Sequence, residues 1–155
     1  MKRRSPGAPP IGKTRPTPCY PLFRQSQGGR CSDAYYVIRV DDEVAGFVLV
    51  RPYPGEPKRM EIGDFFVARK FKGRGVGKVS AFQAFDAHPG KWTIRVLDEN
   101  RGARVFWGKI LEEYTQGSCA LTAEKFSDPH SGTWDMQFYR FDSGQSNKTS
   151  GGDVQ

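Results

Sequence analysis

A basic, glycine-rich segment at residues 69–78 carries the residue types best suited to chemistry in this chain. Glycines alternate at Gly73, Gly75 and Gly77, and the pattern predicts that a helix begins at Val76. Glycine leaves backbone amides uncovered, and the free N–H groups of a first helical turn attract anionic oxygen. The basic side chains here are Arg69, Lys70, Lys72, Arg74 and Lys78. We therefore expect the segment to bind a phosphate-bearing ligand, although such turns also occur as plain solvated loops.

The spacing of this segment excludes two common phosphate-binding loops. A nucleotide-triphosphate loop needs four residues between its first glycine and a Gly-Lys pair, and then Ser or Thr. Only three residues separate Gly73 from Gly77, and Val79 follows the lysine. The dinucleotide fingerprint needs a third glycine three positions after the second, and counting from Gly75 that position is Lys78. A different class of phosphate site is therefore indicated.

The remaining pattern resembles the pyrophosphate loop of the GCN5-related N-acetyltransferases. That loop has Arg or Gln, two residues, Gly, one residue, then Gly or Ala, and Lys72, Gly75 and Gly77 occupy its positions here. Lysine keeps the charge of arginine but lacks its forked donors, so the internal bonding of the loop can differ. The resemblance covers about residues 35–115.

Further patterns support the same resemblance, which is greatest to small bacterial predicted acetyltransferases. A second family pattern, Asn, two residues, Ala, two residues and an aromatic pair, is matched from Asn100 to Trp107. These relatives also share a Phe-Phe-Val strand end and a Pro-Gly-x-Trp strand start. The matching residues are Phe65, Phe66 and Val67, then Pro89, Gly90 and Trp92, and then Phe106 and Trp107.

The resemblance implies acetyl-CoA as the donor substrate. Its pantetheine arm would lie between two separating strands and bind the backbone of Phe65, Phe66 and Val67 like an added strand. An N–H near Phe65 would then stabilise the developing oxyanion. Asn100 could contact the pantetheine or simply cap a helix. The implied CoA-binding residues beyond this strand are Lys72, Gly73, Arg74, Gly75, Val76, Gly77, Lys78, Asn100, Phe106 and Trp107.

Two carboxylates are candidates for the general base that amine acetylation requires. Glu61 lies eleven residues before Lys72, the place where histone-acetylating relatives carry their base, and Asp64 lies nearer the strand end. Period-two alternation places Glu61 and Phe65 on one face of the strand and Asp64 on the other. We favour Glu61 as the base. The alternative is that Glu61 is an ordinary exposed strand carboxylate that pairs with Arg59 or Lys58.

A general acid for the CoA thiolate is harder to identify. Many relatives use a tyrosine of the aromatic pair, where this chain has Trp107, and indole offers no usable acidic proton. Tyr114 is a weak substitute, so water or another group would protonate the thiolate. Ser118 and Cys119 are adjacent but have no placed base, which indicates ordinary strand residues and no covalent intermediate.

The elements that must position these residues follow from hydrophobic periodicity. Residues 35–40 and 44–51 predict a hairpin, 52–57 a loop, and 60–67 a third strand. A helix over 76–87 and a strand over 91–97 follow, then an amphipathic helix ending near Gly117. Two closing strands are predicted at 118–126 and 134–141. The order predicts an α/β fold with a mixed, mostly antiparallel sheet flanked by helices, as in the acyl-CoA N-acyltransferase fold.

Length and composition limit the organisation of the chain. With 155 residues and 37% hydrophobic residues, it can bury one core and is too short for two ordinary domains. No apolar run approaches the roughly 18 residues of a membrane span, and no secretory signal is recognisable, so we expect a cytoplasmic protein without membrane contact. Three scattered cysteines and two histidines argue against a disulfide framework and a metal site.

The charge of +7 is concentrated at the N-terminus. Residues 1–34 hold seven basic residues against Asp33 alone and six of the eleven prolines, which predicts a largely disordered tail. We expect an acetyltransferase-like domain at 35–142 and a polar tail at 143–155. Residues 1–30 could contact nucleic acid weakly or remain a solvated arm.

The largest departure from the resembled family precedes residue 35. Family members begin with a strand and two helices that cover one side of the acceptor cleft, and those N-terminal helices are not recognisable here. The acceptor side would then suit a large substrate such as a protein tail, completion by a second subunit in a homodimer, or a degraded N-terminus with little activity. These alternatives stay open.

Two functions follow from the sequence. The first is an N-acetyltransferase that moves an acetyl group from acetyl-CoA to an amine-bearing acceptor by direct attack in a ternary complex. The second is a non-catalytic module that holds CoA or nucleic acid through the loop and the basic tail.

Overall fold

The computed structural model of the chain describes residues 17–22 and 33–146. Within these residues, seven strands form one sheet in the order β1-β2-β3-β4-β5-β7-β6, in which only β4 and β5 pair in parallel. The predicted fold class is therefore confirmed. The strands are β1 Thr17–Leu22, β2 Ala34–Val40, β3 Glu43–Tyr53, β4 Glu56–Val67, β5 Lys91–Leu97, β6 Ala120–Asp128 and β7 Gly132–Asp142. The helices are α1 Val76–Ala87, α2 Arg101–Thr115 and the short α3 Ser143–Ser146, and a 3₁₀ turn lies at Arg69–Phe71.

The connection between β3 and β4 is shorter than predicted. Instead of a loop over 52–57, β3 continues to Tyr53 and β4 begins at Glu56, so Pro54 and Gly55 alone make the turn. Gly55 has φ 81°, and proline followed by a glycine with positive φ favours a tight type II turn. Proline content indicated a loop, whereas the turn places Pro52 inside a strand.

Helices α1 and α2 pack on the same face of the sheet, which we call the helix face. Phe85 of α1 contacts Trp92 of β5 with ring centroids 5.0 Å apart and Phe141 of β7 at 4.9 Å. Trp107 of α2 contacts Phe85 and, at 5.1 Å, Phe65 of β4. These aromatic contacts form the centre of the core, because large rings bury the most apolar area per residue.

A bulge in β4 changes which residues share a face. Leu49 pairs with Asp64, and Arg51 pairs with Glu61. The chain therefore advances two residues along β3 but three along β4, and Gly63 is the extra residue. Leu49 and Arg51 are two positions apart and point the same way, and so Glu61 and Asp64 share a face. The prediction that they lie on opposite faces is wrong, because simple alternation does not account for the bulge. We call their side of the sheet the Glu61 face.

The N-terminal stretch contributes a strand that the sequence does not predict. β1 pairs antiparallel with β2 at the edge of the sheet. Pro18 and Pro21 argue against a strand because proline lacks an amide donor, yet edge strands tolerate it. The remaining predictions for residues 1–34, including the absence of helices and most of the nucleic-acid contact at 1–30, lie outside the described residues.

The C-terminal boundary of the folded part lies beyond residue 142. Ser143 is 1% exposed, and its Oγ accepts hydrogen bonds from the Gly90 N–H at 3.1 Å and from Trp92 Nε1 at 3.2 Å. The predicted polar tail therefore begins with a residue that packs against β5, and residues 147–155 lie outside the described part. Among the helices of the described residues, none has the length and apolar character needed to cross a membrane.

Candidate functional site

Strands β4 and β5 run side by side for only three residue pairs and then separate. The last pair joins Glu61 to Thr93, and residues 62–67 and 94–97 are not paired with each other. Beyond Glu61, β4 is bonded only to β3 on its other side. A strand edge with unpaired amides and carbonyls can receive an extended ligand as if it were another strand. The separation implied by the resemblance is thus present, with the Phe65 to Val67 backbone along it.

The N-terminus of α1 faces this opening with free amides. Its first helical hydrogen bond runs from the Val79 N–H to the Gly75 carbonyl at 3.1 Å, so the N–H groups of Val76, Gly77 and Lys78 have no acceptor in the helix. No side chain caps this end, and its first turn holds no acidic residue. Unpaired amides and the positive end of the helix dipole together favour an anion.

The three glycines of the loop serve two different needs. Gly73 and Gly75 both have φ 76°, a conformation that side chains disfavour, and a Cβ on either would meet nothing within 4 Å. Gly77 instead lies against the aromatic pair, because a Cβ there would come within 3.0 Å of Phe106 and 3.7 Å of Phe65. The first two glycines shape the turn, and Gly77 lets α1 approach the separating strand closely.

Positive side chains surround the loop, and some are already paired. Lys78 Nζ contacts Glu113 of α2 at 3.0 Å, and Lys70 pairs with Glu43. Within the described residues, Arg69, Lys72 and Arg74 make no ion pair. Exposed pairs of this kind are weak in water, so all five cations remain able to attract a phosphate.

Aromatic side chains line the opening on the helix face. Phe65 and Phe106 have ring centroids 5.6 Å apart, and Trp107 is 6% exposed. Asn100 caps α2, since its Oδ1 accepts the Ala103 N–H at 3.0 Å. Capping alone explains Asn100, whereas the aromatic pair forms an apolar wall where the separated strands meet α2.

Glu61 is buried among arginines on the Glu61 face. It is 1% exposed, and it accepts a hydrogen bond from Arg51 Nε at 2.8 Å on Oε1. Arg95 binds both oxygens, with Nε 2.9 Å from Oε2 and Nη2 3.0 Å from Oε1. The favoured base thus joins β3, β4 and β5 at the point where β4 and β5 begin to separate. Both of its oxygens are occupied by guanidinium donors.

Asp64 lies on the same face but is exposed. Its Oδ1 accepts the N–H of Phe65 at 2.9 Å, and no second partner of this carboxylate is found in the described part of the chain. The amide suggested as an oxyanion donor is therefore held by the second candidate base. Asp64 is the carboxylate at the opening that solvent and an acceptor can reach.

The remaining candidates for acid or nucleophile are placed unfavourably. The Tyr114 hydroxyl donates to Asp86 at 2.7 Å, and burial together with that partner raises its pKa far above the ordinary value. Burial also raises the pKa of the Cys119 thiol to about 11, so this thiol stays protonated near neutral pH. Neither residue is set to give a proton to a thiolate or to attack a thioester.

Three residues of the site escape the sequence reasoning: Arg51, Gly63 and Arg95. Their signals are weak, because an arginine in a strand most often points to solvent. Gly63 inside an apolar strand was the usable signal, since a strand glycine often marks a bulge. No group of histidine, cysteine and acidic residues that could hold a metal ion occurs within the described ranges.

Comparison with known families and with solved structures points to acetyltransferases. Residues 5–112 match the sequence model described as "Acetyltransferase (GNAT) family", which extends the match far upstream of residue 35. A comparison with curated protein sequences found no match.

Among solved structures, the chain is similar to a Bacillus subtilis acetyltransferase in complex with CoA, at 16% identity and a TM-score of 0.53, over 71% of this chain and 76% of that one. It is similar to a GNAT family acetyltransferase from Elizabethkingia anophelis with acetyl-CoA bound, at 18% identity and a TM-score of 0.50, over 72% and 76%. It is also similar to RimL, a ribosomal L7/L12 alpha-N-protein acetyltransferase in complex with CoA, at 16% identity and a TM-score of 0.53, over 72% and 63%. At such identities the likeness shows the fold.

Proposed function

Because the chain belongs to the acetyltransferase (GNAT) family, we propose that it transfers the acetyl group of acetyl-CoA to an amine. The observation that carries the proposal is the position of the α1 N-terminus at the opening between β4 and β5. Gly77 of that terminus lies against Phe65, so free amides and a free strand edge are adjacent. One extended ligand with a diphosphate and an amide-rich arm can use both.

The diphosphate of acetyl-CoA would bind the amides of Val76, Gly77 and Lys78, with Lys72 and Arg74 adding charge. The pantetheine would follow the edge of β4 at Phe66 and Val67, which brings the thioester to Phe65. The structures with CoA or acetyl-CoA among the similar folds support the donor. The acceptor has to be inferred from the residues of this chain.

We assign the base to Asp64 and not to Glu61. A neutral amine attacks the thioester carbonyl, the C–S bond breaks, and the amine proton passes to Asp64 directly or through water. The carbonyl oxygen of the thioester can displace Asp64 Oδ1 from the Phe65 N–H, which frees the carboxylate for the acceptor and the amide for the oxyanion. Water then relays this proton from Asp64 to the departing thiolate, which gives the CoA thiol and restores the carboxylate.

Binding of acetyl-CoA tests the loop. Gly75→Glu puts a carboxylate at the mouth of α1, and Gly55→Glu is its matched control, because Gly55 has φ 81° with nothing within 4 Å, as at Gly75. The two changes carry the same backbone cost, so only the loop variant should lose affinity. We expect calorimetry to show at least a roughly tenfold weaker binding for Gly75→Glu, the loss of one charge-assisted contact or more.

Equal binding by the two variants would remove the loop from the proposal. Turnover, followed by release of the CoA thiol with a panel of amines, tests the reaction itself. Tight acetyl-CoA binding without turnover of any amine would favour the non-catalytic module instead.

A further inference from the structure

The charge cluster at the start of the opening has one more positive than negative charge, and Arg51 is the cation with the fewer contacts. The cluster contains two guanidinium groups and one carboxylate, Glu61. Arg95 is 14% exposed and binds both carboxylate oxygens, whereas Arg51 is 40% exposed and uses only its Nε. The two terminal nitrogens of Arg51 make no hydrogen bond within the described part of the chain. An arginine so placed has terminal donors available to a ligand that reaches that face.

The bulge brings the Arg51 side chain over the residue that precedes Asp64. A Cβ built on Gly63 would lie 2.9 Å from Arg51 Nε and 3.1 Å from its Cδ, so the arginine crosses β4 directly over the glycine. Asp64 is the next residue and shares the face.

Other arginines of the Glu61 face are already neutralised. Arg59 binds Glu56 at 2.8 Å, and Arg140 binds Glu124 at 2.7 Å. On the Glu61 face, Arg51 therefore keeps terminal donors without a partner, and the exposed carboxylate of Asp64 follows the glycine that Arg51 crosses. This pair is complementary to a molecule that carries both an ammonium and an anionic group.

We propose that Arg51 binds an anionic group of the acceptor, which makes the acceptor a compact amine with a carboxylate or phosphate a few bonds from its nitrogen. This inference rests on the proposed function, in which Asp64 takes the amine proton. The planar guanidinium donates two parallel hydrogen bonds to either anion, and Asp64 holds the opposite end near the thioester. Together the two side chains fix the direction in which the acceptor enters.

Matched pairs of amines test this acceptor class. β-Alanine is compared with β-alaninamide, and O-phosphoethanolamine with ethanolamine, so that each pair differs in its anionic group and the two pairs separate carboxylate from phosphate. We expect kcat/KM to be at least about tenfold higher for the anionic member of one pair, as for a charge-assisted bond. If the wild-type chain shows equal kcat/KM for the two members of both pairs, the inference is overturned, and no variant is needed to decide it.

Variants then locate the preference. Arg51→Gln should abolish it, Arg51→Lys should retain part of it, and Arg140→Gln is the matched control because it removes a half-exposed arginine of the same face. Loss of the preference in Arg140→Gln, or its survival in Arg51→Gln, would place the anion elsewhere and contradict the proposal. If Arg51→Gln unfolds, Arg51→Lys against the control decides.

Failure of the proposed function would give a different result. In that case no amine of the wider panel would be acetylated, although the chain binds acetyl-CoA, whereas acetylation of other amines but of neither pair would overturn only the compact acceptor. Equal acetylation of both members overturns only the anion-binding role of Arg51 and leaves the acetyltransferase intact.

Discussion

Strand β4 behaves differently before and after Gly63. In the first half, β4 is paired on both sides, and Glu61 is buried between arginines from the two neighbouring strands. In the second half, β5 has separated and one edge of β4 is available. The comparison shows how one strand can be structural at one end and ligand-binding at the other. The ion-pair cluster marks the position where the change occurs.

The two sides of the opening attract anions by different means. At the N-terminus of α1 the positive potential comes mainly from backbone amides, which glycine leaves uncovered. On the Glu61 face it comes from a guanidinium that Gly63 makes room for. Glycine occurs in both places, at the helix start with a positive φ at Gly75 and on β4 where the Arg51 side chain passes over Gly63.

The largest effect is expected from Glu61→Ala, which breaks the first half of β4. It leaves Arg51 and Arg95 without their shared carboxylate, and removal of one partner from a buried ion pair costs about 3–5 kcal/mol. Denaturant unfolding should show this loss. Glu124→Ala is the control, because its pair with Arg140 is exposed and little change is expected. Equal stability of the two variants would show that the cluster does not hold the strands together.

Asp64→Asn should affect the second half in the opposite way. The side chain is exposed, so the free energy of unfolding should change by no more than about 0.5 kcal/mol. Its kcat should fall by about 100-fold or more, the usual contribution of a general base. Steady-state thiol release and acetyl-CoA calorimetry measure the two parts. A folded Glu61→Gln variant that loses more turnover than Asp64→Asn would return the base to Glu61.

How far the sequence predicted the molecule depends on whether local or long-range effects decide. Helix α1 over Val76–Ala87 and strand β5 over Lys91–Leu97 are confirmed to the residue, because glycine and proline punctuate their ends. The loop amides follow from local backbone rules in the same way. Pairing decides the rest, as when the edge position of β1 tolerates two prolines.

The base candidates show why the site itself is harder to predict. Alternation along β4 is a local rule, and a single extra residue at Gly63 reverses its outcome for everything downstream. The burial of Glu61 depends on Arg51 and Arg95, which lie 10 and 34 residues away in sequence. No spacing within one segment reports such contacts.

The smallest effect concerns pH and again distinguishes the two halves. His88 follows the last residue of α1, and its carbonyl accepts a hydrogen bond from Trp92 Nε1. Trp92 pairs with Met60 in the first half of β4. Burial lowers the pKa of His88 below its ordinary 6.5. The unfolded chain therefore binds this proton more readily, so the stability that His88 contributes is complete above about pH 6.5 and is lost as the pH falls through the folded-state pKa. His88→Gln, which keeps a partner for the Tyr36 hydroxyl, should lose less stability than the wild-type chain between pH 7.5 and 5.5. If the wild-type chain and His88→Gln lost stability equally over this pH range in denaturant unfolding, the folded chain would accommodate the protonated ring. A neutral His88 would then contribute nothing to the stability of the part where β4 and β5 are paired.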